Sequence, residues 1–96
     1  MTAKWNLVGS HGTVLFYLAS HTEATIHETA QVLDLTERRV MQVVHDLADA
    51  DLISIEKRGR RNVYRINTEA PFRNPVREVR LGEVVKLIQD ERVASA

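Results

Sequence analysis

The chain has 96 residues, with 13 Lys+Arg against 13 Asp+Glu, a formal net charge of +0 and no cysteine. That is the size of one small domain, too short for a catalytic unit joined to a regulatory one, and marginal as a monomer because a chain this short buries only roughly 60–65% of its unfolded surface. Disulfide scaffolds, cysteine zinc sites and thiol catalysis are excluded, and zero net charge stands against the basic excess usual in nucleic-acid binders.

The first apolar stripe is Val14, Leu15, Leu18 and Ala19, widened by Phe16 and Tyr17, and it predicts a helix over 10–20 with Ser10 as a possible cap. Its unbroken apolar run, Val14 to Ala19, is far shorter than the roughly 20 residues a membrane helix needs. The stretch Met1–Asn6 does not read as a signal peptide, so a soluble cytoplasmic domain with no membrane contact is expected. After a polar connection, Thr25 and Glu28 form a capping box for a second helix over 26–33, with Ile26, Ala30 and Leu33 on one face. Thr36 is the next N-cap, and Val40, Val43, Val44, Leu47 and Ala48 give a third helix ending near Ala50 or Asp51.

The period then changes from 3.6 to 2. Ile53 and Ile55 alternate with Ser54 and Glu56, and Tyr64 and Ile66 share a face of the run 62–67. Gly59, inside Lys57-Arg58-Gly59-Arg60-Arg61, marks a tight reversal, so the two runs predict a β-hairpin with a basic tip. Pro71 and Pro75 bracket an irregular connection, and beyond Gly82 the residues Val84, Val85, Leu87 and Ile88 predict a last helix ending near Asp90. Residues 76–81 fit either extended chain or a helical turn, and 93–96 read as a disordered tail.

The fold class expected is α+β, mainly α with a small hairpin, in the order of a winged helix-turn-helix with a C-terminal dimerisation helix. Ala30 is the small residue needed where two crossing helices touch, Leu35 plugs the turn, and Val40 and Val43 anchor the third helix. The turn residue before the plug is Asp34, which tolerates the positive φ such a turn favours better than most non-glycine residues. With the third helix so anchored, Thr36, Glu37, Arg38, Arg39, Met41 and Gln42 face outward. Arg pairs bidentately with guanine and Gln with adenine, Glu accepts from cytosine or repels phosphate, and a capped helix N-terminus suits a phosphate. At the hairpin tip Lys57, Arg58, Arg60, Arg61 and Asn62 can track a DNA backbone or enter a narrow minor groove. Asp46, Asp49 and Asp51 are expected to point away from DNA.

The runs Leu35-Thr36-Glu37-Arg38-Arg39-Val40, Asp46 to Ile53 and Gly59 to Tyr64, continuing to Arg73-Asn74-Pro75, resemble small MarR/ArsR-type winged helix-turn-helix transcriptional regulators. The resemblance covers most of the chain from Trp5 to Ile88, with Asp51 standing where such regulators commonly carry Gly. It implies a homodimer on a palindromic double-stranded DNA operator. Residues 1–70 would be the DNA-binding domain and 71–92 a connection and dimerisation helix, packed on residues 5–18 of a second subunit rather than on its own chain. A small-molecule effector is compatible with this reading and is not identified by it.

Blander readings compete at each feature. The third-helix stripe is core, Arg38, Arg39 and Gln42 could be an ordinary solvated face, and Tyr64 reads as hairpin packing rather than base stacking. None of His11, His21, His27 and His45 has the i, i+4 spacing with a carboxylate that makes a one-helix metal site, so no metal or other cofactor is expected. No catalytic constellation is present, and the alternative to DNA binding is a winged-helix protein-interaction module.

Where the charges sit answers the neutrality objection. Residues 19–56 carry eight acidic and two basic groups, those two being Arg38 and Arg39, whereas residues 57–80 carry eight basic and two acidic. Zero is thus a sum of opposed blocks, and a polar molecule with one basic edge is expected.

Overall fold

The computed structural model describes residues 7–89. Among them are four helices and one two-stranded sheet, a small α+β domain: α1 (Ser10–Ser20), α2 (Ile26–Leu33), α3 (Glu37–Asp49), β1 (Ile53–Arg58), β2 (Arg61–Ile66) and α4 (Leu81–Gln89). No described helix is long and apolar enough to cross a membrane.

The helix boundaries follow from local chemistry. The Thr25 hydroxyl accepts from the Glu28 N–H at 3.0 Å and donates to Glu28 Oε1 at 3.1 Å, so the two residues cap α2 together, though the carboxylate meets the hydroxyl rather than a backbone N–H. Thr36 Oγ accepts from the Arg39 N–H at 3.0 Å and caps α3. Ser10 does not cap α1: Gly9 holds the N-cap position, without a side-chain bond, and Ser10 is already helical.

Both α2 and α3 end in the same way. After α2, Asp34 is left-handed at φ 56, its N–H reaches Gln31 O at 3.4 Å, and the Leu35 N–H reaches Ala30 O at 2.9 Å. After α3, Asp51 is left-handed at φ 61, with its N–H on Ala48 O at 3.0 Å and the Leu52 N–H on Leu47 O at 2.9 Å. These are two Schellman closures, each using aspartate where glycine costs least, and each turning a leucine back toward its helix.

The core lies between α1 and α3. Val14, Leu15 and Leu18 of α1 meet Val40, Val43, Val44 and Leu47 of α3, joined by Ala30, Ile53, Tyr64, Leu81 and Val85. Each fully buried Val or Leu contributes about 1.5–3 kcal/mol, so α3 is held by its apolar stripe and has its polar face free. Thr29 of α2 is also buried, a position its polarity hides, because its hydroxyl donates to Thr25 O at 2.8 Å within the same helix.

The hairpin register runs from Ile53↔Ile66 to Arg58↔Arg61, leaving Gly59 and Arg60 as a two-residue loop. Gly59 has φ +60, the value that a II′ turn requires at its first central position. The Tyr64 N–H donates to Thr22 O at 2.8 Å, so β2 lies between β1 and the α1–α2 connection. That explains a departure from the expected alternation. Tyr64 is buried on the inner strand, whereas Ile55 opposite it on the outer strand is exposed, and Val63 is buried on the other face.

The ambiguous segment is extended and looped back on itself. Pro71 bridges to Arg80, the Phe72 N–H donates to Val79 O at 2.7 Å, and the Asn74 side chain ties the turn through bonds to Phe72, Val76 and Arg77. Helix α4 then starts at Leu81, before Gly82 rather than beyond it. Gly82 is needed there because its N–H approaches Thr68 O at 3.0 Å, and a Cβ would stand 2.8 Å from Thr68 Cβ. Leu81 and Val85 bury α4 in its own chain's core, beside α1, and the Gln89 side chain donates to Ala19 O. The surface expected to meet a second subunit is therefore partly filled from within the chain. Leu87 and Ile88 stay 71% and 57% exposed, and Val76 in the loop is 89% exposed. Trp5, the end of the last helix near Asp90 and the tail 93–96 lie outside the described residues.

Candidate nucleic-acid interface

The polar face of α3 begins at its cap. Thr36 Oγ is occupied as an acceptor by the Arg39 N–H, which leaves the hydroxyl proton free to donate. The backbone N–H groups of Glu37 and Arg38, in the first turn, have no acceptor among the described residues, so the helix start presents donors and a positive dipole end. Arg38 is exposed and has no acidic partner within 4.0 Å among the described residues.

Three neighbours depart from the free, outward face expected. Glu37 is held by His27 of α2, whose Nδ1 donates to Oε2 at 2.9 Å. Arg39 is half-buried rather than outward, and its guanidinium donates to Gln42 Oε1 at 3.1 Å. Arg39 and Gln42 therefore form one hydrogen-bonded unit, with the Gln42 amide N–H₂ left free. Met41 is exposed beside them. Asp46 points to α1, where His11 Nε2 donates to its Oδ2 at 2.8 Å, so this carboxylate is turned away from the first turns of α3.

The hairpin tip is exposed from Lys57 to Asn62. Lys57 and Arg60 have no acidic partner within 4.0 Å among the described residues. Arg58 lies 3.7 Å from Glu56, and Arg61 lies 3.9 Å from Glu23 in the α1–α2 connection. Arg65, three residues beyond the predicted set on β2, donates to Glu56 Oε2 at 3.1 Å. That hydrogen bond, with the charge of Arg58, holds the Glu56 carboxyl below the usual carboxylate range. Asn62 is paired across the strands with Lys57.

The short segment 23–27 touches both regions: Glu23 meets Arg61 at the start of β2, and His27 meets Glu37 at the start of α3. Sequence reasoning passed over Glu23, His27 and Arg65. His27 reaches Glu37 across ten positions of chain and an intervening turn, and nothing in the local pattern marks that contact. Arg65 could have been found, because a register set by the Gly59 turn puts it diagonally across from Glu56 on the same face. Among the described residues no group of three or more His, Cys, Asp or Glu could hold a metal ion.

No protein-family model matches the chain, and no curated protein matches it at a significant level.

Proposed function

We propose that the chain is a sequence-specific double-stranded DNA-binding transcriptional regulator of winged helix-turn-helix type, acting as a homodimer on a palindromic operator. The observation that carries this reading is a capped helix, α3, with the exposed Arg38 in its first turn, preceded by a tight left-handed turn at Asp34 and followed by a hairpin with a basic, two-residue-loop tip. In this reading α3 lies in the major groove. Arg38 and the Arg39–Gln42 unit contact bases, while Thr36 and the free N–H groups meet a phosphate. Lys57, Arg58, Arg60 and Arg61 follow the backbone or the minor groove beside it, with Asn62 at the margin. Glu37, held in a hydrogen bond by His27, has one carboxylate oxygen turned toward α2. The apolar exposure of Val76, Leu87 and Ile88 supports a second copy meeting the loop and α4.

The test is a selection of bound duplexes from random DNA by the full chain. Recovery of a two-fold symmetric sequence supports the reading. Failure to enrich any sequence, together with co-purification of a partner protein, favours an interaction module instead.

A further inference from the structure

Helix α3 carries one large apolar side chain that the core does not use. Val40, Val43, Val44 and Leu47 supply its buried stripe, while Met41 stands outside the core and is exposed. Met41 follows Arg38 by three residues and precedes His45 by four, so these exposed side chains form one column along the helix. A lone exposed apolar residue is ordinary on a protein surface, and its exposure alone decides nothing. Met41 is set apart by its neighbours. Arg38 lies one turn before it with no acidic partner within 4.0 Å among the described residues, and Gln42 follows it directly. The Gln42 Oε1 is engaged by the Arg39 guanidinium at 3.1 Å, so the end of that side chain offers its amide N–H₂ as a donor. The second turn of α3 therefore presents a hydrogen-bond donor next to a flexible, polarizable apolar group.

One base edge in the major groove matches that pair. Thymine shows its O4 acceptor beside the C5-methyl group, whereas cytosine shows an N4–H₂ donor and no methyl, and the purines carry no apolar group there. We infer that Met41 is a specificity-determining residue, packing on the 5-methyl group of a thymine in each half-site while the Gln42 amide donates to the O4 beside it. Cytosine at that position loses the methyl contact and sets its amino donor against the Gln42 amide, leaving both unpaired. The inference rests on the DNA-binding reading of α3 and names what the second turn of that helix reads.

The test starts from duplexes that the full chain selects from a random library made with thymidine. Each selected duplex is remade with deoxyuridine at one thymine position in each half-site, which removes a methyl group and leaves every hydrogen-bonding atom in place. At one such position the change is expected to weaken binding about fourfold per half-site, or about fifteenfold for a dimer, the loss for one buried methyl. Met41→Ala keeps an exposed helical position filled by a good helix former, so the fold is retained. This variant is expected to bind the thymidine and deoxyuridine duplexes equally, and Met41→Leu, which stays apolar, to keep the preference for the methyl. A Met41→Ala protein that still discriminates the two duplexes would overturn the inference, because the methyl would then be read by another side chain. A symmetric duplex with no methyl-sensitive position would overturn the inference alone, whereas failure to enrich any duplex would overturn it together with the DNA-binding reading.

Discussion

Gly82→Ala is expected to destabilise the domain, against the sign that helix propensity alone would give. An Ala in place of a helical Gly ordinarily stabilises by roughly 0.5–1 kcal/mol. Here the new Cβ would stand 2.8 Å from Thr68 Cβ and 3.0 Å from Thr68 O. Neither atom is the end of a flexible side chain, and the same carbonyl accepts the Gly82 N–H at 3.0 Å, so the start of α4 must move and that bond must lengthen. Overpacking of this kind costs about 1–3 kcal/mol, which outweighs the propensity gain and leaves a net loss of about 0.5–2 kcal/mol. For a domain of this length that is a fall in Tm of roughly 2–16 °C. Thermal unfolding by circular dichroism measures it. Thr68→Gly removes one of the two clashing atoms and leaves the carbonyl, so the double variant should recover part of the loss relative to Thr68→Gly alone. A Gly82→Ala protein as stable as the parent, or more so, would refute the close approach of α4 to Thr68.

Three further outcomes are expected. Asp34→Gly and Asp51→Gly should each stabilise the domain by up to about 1 kcal/mol by relieving the left-handed backbone at φ 56 and φ 61, whereas alanine at either position should destabilise it; chemical denaturation reads both signs. Glu56 should titrate below the free-peptide glutamate value when followed by carboxyl NMR shifts. Because its folded-state affinity for the proton is lowered, its contribution to hairpin stability is complete at neutral pH and is lost as pH falls through the folded midpoint, and Arg65→Gln should raise that midpoint toward the ordinary value. Leu87→Glu and Ile88→Glu, at exposed α4 positions, should leave the fold intact and shift sedimentation toward monomer if a second copy covers that face; an unchanged dimer would place the interface elsewhere.

Much of this fold is written locally. The bounds of α1 and α2 follow from apolar spacing and the Thr25–Glu28 pair, and the left-handed Asp34 follows from its place one residue before the Leu35 plug. Features set by distant contacts are not visible in that way. Gly82 reads as a helix breaker in sequence, yet it sits inside α4 because Thr68 passes close to it. Alternation puts Ile55 on the same face as Ile53 and Tyr64, but β1 leaves the core after Ile53, which is buried, and Ile55 is exposed. The basic residues of the candidate interface were identifiable by type and position, whereas their partners were not. Glu37 looks like a free carboxylate and Arg39 like a free cation until His27 and Gln42 are brought beside them.

The central claim is that the start of α3 and the hairpin tip together hold duplex DNA, and a salt titration tests it most directly. Binding of the full chain to a duplex, measured between 50 and 200 mM salt, should weaken with a log–log slope on the order of −4 to −8 for a dimer, a loss of roughly 10²- to 10⁵-fold. Arg60→Ala with Arg61→Ala should flatten the slope and weaken all sequences alike, while Gln42→Ala should reduce the preference for the selected operator over random DNA. Absence of binding at low salt, or a slope unchanged by removing both tip arginines, would contradict the account.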